Sequence, residues 1–441
     1  MAEPDLTEVK ETTVANATST CDKRHCKEMR KDKLPPYLRD RERILYPRNT
    51  RALPKTPVIG GQPIEEETCM TLRKVVFGSC ASPPKVEWAR TGLTLRPYGQ
   101  SLAFGLRTPR NTTRGFVTAV QAVMLKHFLF KCDRQDVGPE ILLKPSYDRQ
   151  IEVLTSAISE IIWRCAGGFS VSTCPNIVSS IVPKAIVALP QDTPYLQHSV
   201  QYFQDGLTET AYLSTSIPYE KLLYILAFHD EGGPGAKLLL YSAVLSRGLS
   251  KIRNDLEDPK ASILGGCSEE GPISIIIFVL TGRASSHLHN GVLHVGDENT
   301  YAVPQWGVLM RSEVGFLVHE SDSNIGKQPG SRLKTPTLPI WVTLCLGHHG
   351  VLFNANRELL RNYHAERRNI IHSVYVKRFE VQYFTCGGSH ATLTVDTRAN
   401  ETSGGSDAAM ETMDIAATPL EKLIRSKWQD AFIQWNGTPI M

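Results

Sequence analysis

Long apolar runs are missing from this chain of 441 residues. The longest, Ile273 to Leu280 broken only by Ser274, falls far short of the roughly 18 residues that span a bilayer, so no transmembrane helix is expected. The opening MAEPDLTEVKE lacks the positive start and apolar core of a secretory signal. The ten cysteines include no CxxC and no tight repeat. Without an export signal they read as reduced thiols, and the expected location is cytoplasm or nucleus. There is no Walker A loop, no dinucleotide fingerprint and no internal repeat, so no cofactor is expected. His287, His289 and His294 in HLHNGVLH have no Cys or carboxylate at a recognised ligand spacing, and they read as surface histidines rather than a zinc site.

What is present is an ordinary globular composition, 41% hydrophobic and 21% charged, which excludes a wholly disordered chain. The net charge of +4 is unevenly placed. Asp22 to Lys55 carries 12 Lys/Arg against 5 Asp/Glu, and the chain beyond it is close to neutral. This basic stretch also holds Pro35, Pro36, Pro47 and Pro54. Residues 1–68 therefore read as a disordered, solvated arm rather than a dedicated nucleic-acid or membrane patch. Residues 69–441 form the expected folded domain, with a flexible insertion near 400–415 (NETSGGSDAAMETMD).

Periodicity sets the expected elements. Val75-Val76-Phe77 reads as a short buried strand. Phe116, Val120, Val123 and Phe130 predict a helix from Gly115. A second helix follows Ser146, a third covers Tyr219–Phe228, and a fourth runs from about Ala236 to Leu256, with Gly232-Gly233-Pro234-Gly235 as the break before it. In the last third, Pro339–Leu346 and Val351–Phe353 flank a tight Gly347-His348-His349-Gly350 stretch read as a hairpin turn. Val374–Phe384 and Ala391–Val395 form a further pair, and Leu420–Trp428 a final helix. Helices followed by an antiparallel sheet make an α+β domain.

His348 ends a buried strand, the placement from which a cysteine hydrolase presents its general base. The residues alone leave a structural histidine as the simpler reading.

Several stretches, in order, resemble the MINDY family of cysteine deubiquitinases, in particular its third and fourth members. They are LRKVVFGSC (Leu72–Cys80), WARTGL (Trp88–Leu93), FGLRTPRNTTRGFVTAVQA (Phe104–Ala122), LLLYSAVLSRGLSKIRNDL (Leu238–Leu256), LTGRASSHLHN (Leu280–Asn290), KTPTLPIWVTLCLGHHGVLF (Lys334–Phe353) and the closing IRSKW and WNGTPI. The resemblance implies a papain-like fold, cleavage of lysine-48-linked ubiquitin and a Cys nucleophile at a helix N-terminus. There the dipole and backbone N–H groups favour a thiolate. It also implies a Gln six residues earlier that donates to the oxyanion.

This chain departs from that loop where the chemistry lies. Phe104, Gly105, Gly115, Val120 and Gln121 match the family, but Arg114 stands at the Cys position, Thr108 at the Gln position, and Asn111-Thr112-Thr113 replaces Gly-Gly-Pro. His348 stands at the general-base position. Tyr383-Phe384-Thr385-Cys386-Gly387 has lost the family's acid. A guanidinium has no lone pair with which to attack, and a cation opposes the dipole at a helix start. Cys345, three residues before His348, is expected to point to the opposite face of the same strand, into the core. Cys80, Cys132 and Cys386 have no claim to the cleft, and Thr112 and Thr113 lack an evident base. The resemblance is closest to an inactive paralogue of the fourth member. It implies a pseudoenzyme that binds ubiquitin, lysine-48-linked chains or another partner, with Arg114 free to meet a terminal carboxylate. The alternatives are a residual lysine-48-linkage deubiquitinase and a basic-arm nucleic-acid or membrane binder; neither nucleic acid nor membrane is the expected partner.

Overall fold

The computed structural model describes residues 62–80, 85–131, 138–167, 184–190, 207–212, 228–229, 231–258, 260–266, 268–296, 303–320, 328–357, 359–360, 378–397, 417–429 and 431–437. All belong to one compact unit, Gly61–Met441. Residues 1–61 of the expected arm, the 400–415 insertion, nearly all of the Tyr219–Phe228 helix and Cys132 lie outside the described residues; residues 62–68, the end of the expected arm, hold the strand Gln62–Pro63 and the start of the helix Glu66–Phe77.

The helical half is built around α2 (Arg114–Phe130), which follows α1 (Glu66–Phe77). Helix α2 is apolar around most of its circumference, and thirteen of its residues are buried. A helix of that kind can only sit inside the protein. It packs between the main sheet, α3 (Tyr147–Cys165) and α5 (Ile273–Thr281), while α4 (Gly235–Arg247) packs on α3. Ser146 caps α3 by accepting the N–H of Arg149. The longest apolar run is thus core helix α5, and no helix among the described residues is long and apolar enough to cross a membrane.

The main sheet has six strands: β1 (Gly315–His319), β2 (Ile340–Cys345), β3 (His348–Phe353), β4 (Arg378–Phe384), β5 (His390–Asp396) and β6 (Phe432–Trp435). They lie side by side in chain order. Every pairing is antiparallel except β1 with β2. Helix α6 (Pro419–Arg425), opened by a Thr418/Glu421 capping box, joins Trp341, Leu352, Val381 and Leu393 in the core on one face of this sheet.

Four expectations change. Val75-Val76-Phe77 is the last turn of α1, not a strand. Leu72, Val75 and Val76 are all buried, and their i, i+3, i+4 spacing outweighs the strand preference of two valines. The expected helix from Ala236 to Leu256 is two helices, α4 and Leu249–Leu256, because Gly248 takes φ +87°. A three-stranded sheet (Gln62–Pro63, Leu207–Tyr212, Ala185–Pro190), which periodicity missed, lies within the helical half. The hairpin turn is Leu346-Gly347, at φ +46° and +80°, so His348 and His349 both lie on β3 rather than in the turn.

Candidate functional site

The start of β3 meets the N-terminus of α2 and the loop that leads into α5. Gln121, buried on α2, holds the preceding loop against the helix. Its Oε1 accepts the N–H of Leu106 (2.6 Å) and its Nε2 donates to the Phe104 carbonyl (3.1 Å). Trp88, fully buried, donates from Nε1 to Thr112 Oγ1 (3.0 Å), and Thr112 in turn donates to Glu87. Asn111 accepts from both the backbone N–H (3.0 Å) and the hydroxyl (2.6 Å) of Thr113. These bonds fix the loop that delivers Arg114 as the first residue of α2.

The Arg114 side chain turns back into the protein. It donates to the carbonyls of Thr108 (3.1 Å) and Pro109 (3.3 Å) and to Glu270 Oε1 (3.4 Å), and is 14% exposed. Glu270 was not singled out in the sequence, yet it is the centre of the site. Its side chain is fully buried. His348 Nδ1 lies 3.2 Å from the same Oε1, and Arg110 Nε 3.5 Å from it. Oε2 accepts the backbone N–H of His349 (2.8 Å), and the His349 ring sits 3.4 Å away at Nδ1. Burial alone would raise the Glu270 carboxyl. The His349 ring and backbone N–H and the His348 ring outweigh it and hold the group down to about 2. A buried carboxylate therefore neutralises the cation that sits at the start of the helix.

His349, read in the sequence only as part of the hairpin turn, is buried against α2. A Cβ on Gly115 would come within 3.1 Å of its ring and 2.9 Å of the Glu270 carbonyl, which explains a glycine there. The first helical N–H groups are already used: Arg114 N–H donates to Asn111 O (3.0 Å) and Gly115 N–H to Glu270 O (2.7 Å). Thr108 is buried, its hydroxyl 3.5 Å from that of Thr113.

Cys345 is not on the same strand as His348. The turn places the two opposite each other on β2 and β3, and directly paired residues share a face. The same-strand reasoning fails, though Cys345 is core nonetheless: it is fully buried, and burial pushes its thiol up to about 12. Cys386 is buried against Thr118 (Sγ to Oγ1 3.7 Å), and burial raises it to about 11. Cys80 is exposed, in the short segment that follows α1. The His287 and His289 rings pack at 5.5 Å between centroids, tilted by 39°, with His287 Nε2 2.9 Å from Glu257, while His294 lies on the strand Val292–Val295. Among the described residues no group of three His, Cys, Asp or Glu could hold a metal ion.

No solved structure matches this chain. Among curated proteins it is 31% identical over 428 residues to the probable ubiquitin carboxyl-terminal hydrolase MINDY-4 of Xenopus tropicalis, covering 93% of this chain and 52% of that one. It is 30% identical over 394 residues to the Homo sapiens protein of the same description, covering 86% and 47%. Against ubiquitin carboxyl-terminal hydrolase MINDY-3 of Danio rerio the identity is 25% over 261 residues, 55% of each chain. The chain thus spans about half the length of the curated relatives it matches. The family profile described as "Deubiquitinating enzyme MINDY-3/4, conserved domain" matches residues 73–437, and on this match the chain belongs to the MINDY-3/4 deubiquitinase family.

Proposed function

We propose that this chain is a pseudo-deubiquitinase: a papain-like MINDY domain, closest in kind to the inactive paralogue of the fourth member, that binds ubiquitin, lysine-48-linked chains or a partner from that system without cleaving them. One observation carries the reading: the first residue of α2, where a cysteine hydrolase of this family would hold its nucleophile, is an arginine tied to Glu270 and to two carbonyls. Its guanidinium has no lone pair for attack. The backbone N–H groups of Arg114 and Gly115 are spent on Asn111 O and Glu270 O, which takes both away from an oxyanion. Thr108, in place of the donating Gln, faces inward. Cys345 and Cys386 are buried thiols far from the thiolate form. Arg114 is no longer a free donor for a terminal carboxylate, because Glu270 already engages it. Such a binder fits a cytoplasmic or nuclear setting.

A residual lysine-48-linkage hydrolase is the second reading, and the His348–Glu270 pair favours it, since a base with an orienting carboxylate is in place. A ubiquitin probe with a cysteine-reactive warhead separates the two. The native chain is expected to remain unlabelled while calorimetry detects ubiquitin binding. Labelling mapped by mass spectrometry to a cysteine, and lost on changing His348, supports the hydrolase and sinks the pseudoenzyme.

A further inference from the structure

The chain has two Asn-Gly steps, Asn290-Gly291 and Asn436-Gly437, and both asparagines are exposed. An asparagine followed by glycine can modify itself, because no side chain on the next residue keeps its backbone nitrogen from the asparagine carboxamide. The reaction needs that nitrogen free and the carboxamide able to turn onto it. Asn290 meets neither condition. Its Nδ2 donates to Ser331 Oγ (2.9 Å), its Oδ1 accepts the Arg332 N–H (3.0 Å), and the Gly291 N–H donates to Val308 O (2.9 Å). Asn436, just past the end of β6, differs. Its Nδ2 donates to exposed Glu380 Oε1 on β4 and its Oδ1 accepts from Thr394 Oγ1 on β5, both at 3.3 Å, long for hydrogen bonds. Among the described residues the Gly437 N–H has no backbone acceptor, and a Cβ on Gly437 would meet nothing within 4 Å.

We propose that Asn436 is a site of spontaneous deamidation, which leaves aspartate or isoaspartate at the end of the last strand, and that Asn290 is held inert by its hydrogen bonds. Hydroxide takes the Gly437 N–H proton, and the nitrogen attacks Cγ of Asn436. The new C–N bond closes a succinimide ring. The Cγ–Nδ2 bond breaks, and Nδ2 leaves as ammonia with a proton from water, which restores the hydroxide. Water then opens the ring. Cleavage at Cγ gives aspartate; cleavage at the Asn436 backbone carbonyl carbon gives isoaspartate, with the chain running through Cγ. The net change is water in and ammonia out, with no oxidant, reductant or cofactor.

The Asn436 carboxamide ties the chain end to β4 and β5. Deamidation puts a second carboxylate beside Glu380 and removes the donor between them, so like charges replace a hydrogen bond. Isoaspartate also lengthens the backbone by one methylene next to the bond from Asn436 N–H to Thr392 O (2.9 Å). Strand β6 is a short edge strand paired with β5 alone, so it is the element that loosens.

The test ages the full chain near body temperature. Peptide mapping by mass spectrometry reads the converted fraction of each asparagine, and an isoaspartate methyltransferase with a labelled methyl donor reads isoaspartate. In the native chain Asn436 is expected to convert at least about tenfold faster than Asn290, whose shorter hydrogen bonds must break first. In urea-unfolded chain the two should convert at similar rates. The rate at Asn436 should rise about tenfold per pH unit, because the attacking nitrogen must lose its proton. Asn436→Gln, which would have to close a larger ring, should remove the isoaspartate signal of that peptide. Hydrogen exchange of the Phe432–Trp435 amides should be faster in Asn436→Asp than in the native chain, and Glu380→Gln added to it should restore part of the protection. Equal conversion of the two asparagines in the native chain, earlier conversion of Asn290, or an unmodified Asn436 over a period that largely converts the free peptide of residues 435–440 overturns the site. Unchanged exchange of the β6 amides in Asn436→Asp overturns the loosening.

Discussion

Replacing Glu270 by glutamine tests whether this carboxylate holds the site together. The side chain is fully buried and its ordinary value of 4.5 is held down to about 2 by the two histidines, against the opposing pull of burial. A carboxyl held down to about 2 corresponds, at about 1.4 kcal/mol per tenfold change in proton affinity, to about 3 kcal/mol. Allowing for relaxation and water entry, about 2–3 kcal/mol is a fair expectation at pH 7. A carboxyl whose folded value is depressed stabilises fully above its unfolded value and loses that contribution as pH falls through the folded value. Urea unfolding of the native chain and of Glu270→Gln, followed by tryptophan fluorescence, should therefore show a gap of about 2–3 kcal/mol at pH 7. The gap should hold down to about pH 5 and shrink steadily between about 4.5 and 2. A gap below about 0.5 kcal/mol at pH 7, or one that stays constant through pH 3.5, refutes the argument.

Other perturbations probe single contacts. A double-mutant cycle with Arg114→Met and Glu270→Gln should give a coupling of about 1–3 kcal/mol in urea unfolding, since Arg114 is 14% exposed and Glu270 not at all; a coupling near zero separates the pair. Gly115→Ala should destabilise by about 1–3 kcal/mol in the same assay, because the new methyl meets the Glu270 carbonyl at 2.9 Å and the His349 ring at 3.1 Å. Maleimide labelling at pH 7 with peptide mapping should modify exposed Cys80 quickly and leave Cys165, Cys345 and Cys386 protected until urea unfolds the chain. The double change Arg114→Cys with Thr108→Gln should restore reactivity toward the ubiquitin probe if the cleft around His348 and Glu270 is intact; continued silence in a folded double variant means that more than these two positions was lost.

The parts legible in the sequence are those fixed by local pattern. The Arg114–Phe130 helix, the Ser146 cap of α3 and the β4–β5 pairing all follow from spacing and side-chain chemistry within one segment. The turn was misplaced because Leu346 at φ +46° lacks the Asn or Asp that marks such turns. That slip left both histidines in the turn and Cys345 on the same strand as His348, whereas both histidines lie on β3 and Cys345 lies opposite His348 on β2. Glu270 was invisible for a different reason. It lies 156 residues from Arg114 in a loop of ordinary polar residues, and only the packing of α5 brings it to the site. The missing acid was sought near Tyr383, where the family resemblance pointed; the carboxylate next to His348 comes instead from another element.

The most direct measurement incubates purified chain with lysine-48-linked tetraubiquitin, with His348→Ala as control and protease scavengers present. The account predicts an unchanged tetramer over many hours for both proteins. Release of shorter chains by the native protein, insensitive to the scavengers and absent in His348→Ala, would contradict it.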